Sequence, residues 1–187
     1  DGLGEFDKAK EYHRQALVIF EKTNNQTGKG YALSRMSESA YFLEEYQLAV
    51  QLAAEGHQIF KSLGHHWGIC TTLCRLGFGY VGLGEITKAD GCFREALKQS
   101  RNYQTVPLCL YALAGMAATM VHVQGQVEPA VELFQYIQYH PQTPALCIQQ
   151  TARWFTHINL PDNAHTAGLR SDECKKIEVI IDGVLNS

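Results

Sequence analysis

One spacing governs what this chain can fold into. Ala9, Ala49 and Ala89 stand 40 residues apart, as do Phe6, Tyr46 and Ile86, and again Ala16, Gly56 and Ala96. Gly28 pairs with Gly68 and Phe20 with Phe60 at the same interval, and a further unit, GQVEPAVELF, brings Ala130 in one residue late. Self-similarity at a fixed period of this length is the mark of stacked repeats, in which each unit buries its apolar face against its neighbours.

Each unit carries two helical patterns. In the middle unit Ile69, Leu73, Leu76 and Tyr80 recur every three to four residues, which predicts a first helix over about Gly68 to Leu83. A turn at Gly84-Glu85 leads to a second helix, about Ile86 to Ser100, with Ala89, Phe93, Ala96 and Leu97 on one stripe. Small residues at a helix crossing let backbones approach, and on this reading Gly77 faces Ala89 and Ala96. Gly77, Gly79, Gly82 and Gly84 lower helical propensity, which is explained either by close packing or by room for a ligand. The segments 23–28, 62–66 and 101–105 read as turns, and a helix start is expected near Pro107. Gly125 takes the part of Gly84, the segment 140–144 separates two helices, Ala145 to about Ile158 forms the next, and Ser171-Asp172-Glu173 caps a terminal helix over Glu173 to Leu185.

The pattern Leu73-x-x-Leu76-Gly77-x-x-Tyr80-x-x-x-Gly84-x-Ile86-x-x-Ala89-x-x-x-Phe93-x-x-Ala96 resembles the tetratricopeptide (TPR) motif. Unit one departs from it, with Ser37, Ala40 and Glu44 at the Gly, Tyr and turn-Gly positions, and the period exceeds the usual ~34 residues. The chain is most similar to the C-terminal TPR region of large bacterial regulators, signal-transduction ATPases and LuxR-type proteins; the segments 112–117, 125–130 and His140-Pro141 carry that likeness. The resemblance implies an all-α, right-handed superhelical solenoid of antiparallel helix pairs. It would occupy residues 1–158, as a partial unit over 1–27 and units over about 28–67, 68–105 and 106–158, with 159–187 packed as a cap. The chain looks cut from a longer one, so NTPase or DNA-binding activity would belong to other parts of it.

The resemblance also places a candidate groove, because first helices line the concave face of TPR stacks. Its residues would be Tyr31, Ser34, Glu38, Tyr41 and Phe42 from unit one, Thr71, Cys74, Phe78, Val81 and Gly82 from unit two, and Ala112, Thr119, His122 and Val123 from unit three, given a one-residue offset there. Such a surface is aromatic and weakly charged. Arg35 and Arg75 fall off these positions, which disfavours a clamp for acidic peptide termini and suits an apolar peptide, an apolar small molecule or a protein domain. The alternative is that Tyr41, Phe42 and Phe78 are core. The tail from Asn159 either packs outside or returns through Ile177, Val179, Ile180 and Val184 to fill the groove.

Chemistry finds little footing. His65-His66 with Cys70 and Cys74 is the strongest metal candidate, but the four need not face one way, and no metal or other cofactor is expected. Cys109 and His122 share one helix at ~20 Å, too far for a nucleophile and base. No glycine cluster has the Lys-Ser/Thr of a phosphate loop. No enzyme activity is therefore expected. The net charge of −3, without a Lys/Arg block, predicts no direct nucleic-acid contact by this segment. No apolar run approaches the ~20 residues of a membrane span. Six cysteines in apolar-periodic stretches read as reduced and structural, in a cytoplasmic setting. Trp154-Phe155 and Tyr136-Tyr139 read as aromatic cover ending the stack, or as a homodimer contact through the terminal helices.

Overall fold

The computed structural model describes residues 2–123, 127–145, 147, 149 and 177–186. The expectations for Gly125, for most of 145–158, for Trp154-Phe155, for the loop 159–168 and for the cap at Ser171 fall outside these residues. The described part is all α-helical, an array of consecutive antiparallel pairs. Its helices are α1 (Gly2–Lys22), α2 (Gln26–Phe42), α3 (Tyr46–Ser62), α4 (His66–Gly82), α5 (Ile86–Asn102), α6 (Val106–Met120), α7 (Val127–Tyr139) and a terminal α8 (Ile177–Leu185).

The period has a finer division than the sequence pattern reveals. Helices α2 to α5 each have 17 residues. The turns between helices place one residue each in the left-handed region: Asn24, Glu44, Gly64, Gly84 and Gln104, evenly spaced along the chain. Only glycine takes that conformation without a steric penalty, so three of these five joints are held by side-chain-bearing residues. A glycine at exposed Gln104 (φ 53°) is expected to stabilise the fold by about 0.5–1 kcal/mol, and an alanine at Gly84 (φ 75°) to destabilise it by about 1–2 kcal/mol, read by urea unfolding.

Two turns are also capped from the side chain. Asn25 Oδ1 accepts from the Gly28 amide at 2.8 Å. At the equivalent His65, Nδ1 accepts from the Gly68 amide at 3.1 Å. The second cap starts α4 at His66, two residues before the glycine that the apolar period suggests, because an imidazole nitrogen here does what Asn does one unit earlier. Helix α6 starts at Val106 with Pro107 in its first turn, which needs no amide hydrogen.

Glycines and aromatics interlock along the stack. A Cβ on Gly68 would collide with the Phe60 ring, and one on Gly28 with Phe20. In the next unit the volumes are exchanged, Ser100 standing where Phe60 does and Leu108 where Gly68 does, and both are buried. A Cβ on Gly77 would lie nearest the Phe93 ring, at 2.5 Å, ahead of Ala89 and Ala96. Those alanines share the fully buried stripe with Phe93. Gly79 receives Val50 and Gly82 receives Tyr46, both from α3. The glycines of α4 are therefore packing positions.

The first helices of successive pairs, α2, α4 and α6, touch one another, while α3 and α5 pack chiefly on their sequence neighbours. This makes α2–α4–α6 the inner layer. At the far end α8 returns to α5: Arg94 Nη1 donates to the Val184 carbonyl at 2.9 Å, and Arg101 pairs with Asp182 at 2.8 Å. Ile181 is buried in the main core. Through these contacts α8 docks on α5, the second helix of a pair, and lies beside the C-terminal half of the inner helix α6. Val179, read as a candidate for filling the groove, is exposed.

Candidate functional site

Of the fourteen predicted groove residues, eight are closed off from solvent: Ser34, Tyr41, Phe42, Cys74, Phe78, Val81, Ala112 and Thr119. The rings among them form a chain through the inner layer. Phe42 stacks on Phe6 at 4.4 Å, Tyr41 packs on Phe42, Tyr46 and Phe78, and Phe78 meets Phe93 at 5.0 Å and Tyr111 at 5.5 Å. This aromatic run is continuous core from α1 to α6.

Six predicted residues reach the surface to differing degrees, partly buried Gly82 and exposed Val123 among them. Tyr31 is 41% exposed, lies edge-on to Phe60, and its hydroxyl is 3.4 Å from His65 Nε2. Thr71 is half-buried and donates to the Trp67 carbonyl at 2.9 Å. His122 is exposed just beyond α6. Glu38 is mostly buried and ion-paired. The register also revises unit three: the 40-residue spacing holds through α6, so the residue equivalent to Tyr31 and Thr71 is Tyr111, and Ala112 is fully buried in the core.

The arginine that the sequence pattern set aside is the centre of the inner layer. Arg75 on α4 is buried, with 5% of its surface exposed. It donates through Nη1 to Ser34 Oγ and through Nη2 to Glu38, both on α2. Glu38 takes a second cation, Arg35, at 3.0 Å on the open side. Arg75 Nε is buried without a hydrogen-bond partner, as is the hydroxyl of Tyr111 on the next inner helix. Burial pushes the Tyr111 phenol far above its ordinary range, although the nearby Arg75 charge pulls the other way. Space for Arg75 follows from the repeat. The equivalent of Arg75 in the next unit is Gly115, which faces Phe93, and the equivalent of Phe93 is Ala53. A large inner side chain opposite a small outer one becomes a small one opposite a large one.

The metal candidates His65, His66, Cys70 and Cys74 are capping and packing groups. His65 is a cap, His66 stacks on Tyr103 at 3.8 Å, and among the described residues no group of three or more His, Cys, Asp or Glu is placed to hold a metal ion. Burial pushes the thiols of Cys70 and Cys92 up to about 11 and that of Cys147 to about 12, and raises Cys74 well above its ordinary value. Such thiols stay protonated and are poor nucleophiles at neutral pH.

His57 Nδ1 lies 3.1 Å from Thr72 Oγ1, whose own proton goes to the Gly68 carbonyl, so the imidazole donates. Burial, assisted by Lys61, lowers the His57 pKa. Burial, assisted by Arg35, lowers that of His13, and burial lowers that of His140. The folded form therefore resists protons that the unfolded chain accepts near its ordinary histidine value of about 6.5. Stability is expected to be full above pH 7.5 and to fall as pH drops through about 6.5. The slope per histidine is at most about 1.4 kcal/mol per pH unit. His57→Gln should make the slope shallower in unfolding curves taken between pH 5 and 8, and an unchanged slope would remove His57 from this role.

With the geometry in place, comparison with known proteins adds one relationship. The chain is 29% identical over 96 residues to the regulatory protein AfsR of Streptomyces griseus, a match spanning 51% of this chain and 10% of that protein. No family model matches the chain. No helix among the described residues is long and apolar enough to cross a membrane.

Proposed function

We propose that this region is a non-catalytic, TPR-like binding module and the regulatory part of a larger bacterial transcriptional regulator. The observation that carries this reading is the 96-residue match to a protein named as regulatory, on a scaffold of stacked helix pairs. Scaffolds of this kind act by presenting surface, and a partner that prefers one curvature of the stack shifts its equilibrium by the difference in affinity. Here the joint on which curvature turns is the contact of α2 with α4 through Ser34, Glu38 and Arg75. Tyr31, Thr71, His122 and Val123 are candidate groove positions open to a first encounter, and deeper entry requires the inner helices to part. A peptide, protein domain or apolar small molecule is the partner class that the aromatic inner layer suits.

Reading the gene on both sides of this region tests the proposal. An NTPase or DNA-binding segment in the same frame supports it. A frame encoding only repeats would overturn the regulator reading and leave a free-standing adaptor that joins two proteins.

A further inference from the structure

At the far end of the inner layer, away from the Arg75 contact, a cavity of about 550 Å³ lies where α5, α6, α7 and α8 converge. We propose that it is a binding site for an uncharged, largely apolar small molecule, with α8 as one of its walls. Its volume falls within the range of about 300–1,000 Å³ typical of small-molecule sites. Ile86 of α5, Met116 and Met120 of α6, and Val184 of α8 supply apolar walls. Paired methionines suit a site that moulds itself to a flexible apolar guest.

The charge of the ligand follows from the lining. Among the described residues, Asp90 and Arg94 are the only charged ones that line the cavity, and they pair with each other at 2.8 Å. Arg94 spends a second nitrogen on the Val184 carbonyl. An anionic ligand would meet Asp90, and a cationic one would meet Arg94, so the net-neutral pair favours a molecule without formal charge. The pair can still offer a donor or an acceptor to a hydroxyl, carbonyl or amide at one end of the guest.

Helix α8 ties this site to the chain terminus. Gly183 lines the cavity, and a Cβ there would have no atom within 4 Å. Glycine in a helix lowers its stability relative to alanine, and here it leaves the α8 wall bare. A guest touching Gly183 and Val184 adds contacts to a helix otherwise held by Arg94, Arg101 and Ile181. Occupancy therefore strengthens α8 docking.

The test uses the full chain and two dyes of one scaffold, uncharged N-phenyl-1-naphthylamine and anionic 1-anilinonaphthalene-8-sulfonate. The uncharged dye is expected to bind at one site per chain, about tenfold or more tighter than the anionic one, and to slow amide exchange in α8. Thr87→Phe on α5 and Gly183→Phe on α8 intrude from different exposed walls and leave the core untouched. At least one should weaken the uncharged dye by about tenfold while keeping the parent melting temperature. Absence of binding, equal affinity for both dyes, unchanged affinity in both variants, or binding that leaves α8 exchange unaltered would overturn the proposal. None of these outcomes bears on the contact of α2 with α4 at Arg75 or on the regulator reading.

Discussion

Replacing Glu38 by alanine is expected to destabilise the protein by about 3–5 kcal/mol, because it strands a buried guanidinium with Ser34 as its remaining partner. The effect of removing the other partner should be smaller. In Arg75→Met, Glu38 keeps Arg35 at 3.0 Å on the open side, so a loss of about 1–3 kcal/mol is expected. The double variant Glu38→Leu with Arg75→Met should recover most of the loss, since a buried ion pair is often replaceable by apolar groups of similar volume. Urea unfolding of the parent, Glu38→Leu, Arg75→Met and the double variant yields the coupling directly. Losses that simply add would mean that the two side chains do not share one buried site.

The second large effect belongs to Phe93. Its ring lies between Gly77 and Gly115 and meets Phe78 edge-on. Truncation to alanine is expected to cost about 3–5 kcal/mol through the cavity left behind. Gly115→Ala should cost about 1–3 kcal/mol, because its Cβ overlaps a ring already pressed against Gly77. Combined, the two should cost less than their sum, since the cavity left by the ring accepts the new methyl group. Strict additivity would place the ring elsewhere.

Much of this architecture is legible as spacing. The alanines and glycines at helix crossings, the aromatics that cover them and the turn near residue 84 follow from a period that any packed stack must obey. The joints are less legible, because the same left-handed turn is filled by Asn24, Glu44 and Gln104 as readily as by glycine. Arg75 is hidden for a different reason. An arginine on an amphipathic helix reads as solvated, and its partners Ser34 and Glu38 lie 41 and 37 residues away. Only the volume exchange between Ala53 with Arg75 and Phe93 with Gly115 signals it. Tyr111 escapes notice because an offset that belongs beyond α6 is applied before it. The docking of α8 is the least legible element, since Arg94 and Val184 are 90 positions apart and no periodicity links them.

The closed inner layer is the central structural claim, and Cys74 reports on it most directly. It lies on α4 among the predicted groove residues and is fully buried. Brief alkylation of the native protein, followed by peptide mapping, measures its access to solvent without any substitution. A closed layer predicts that Cys74 is modified only at the rate of unfolding, orders of magnitude slower than in denaturant. Modification of native Cys74 at the rate of an exposed thiol would contradict the account and show that the inner face is an open groove.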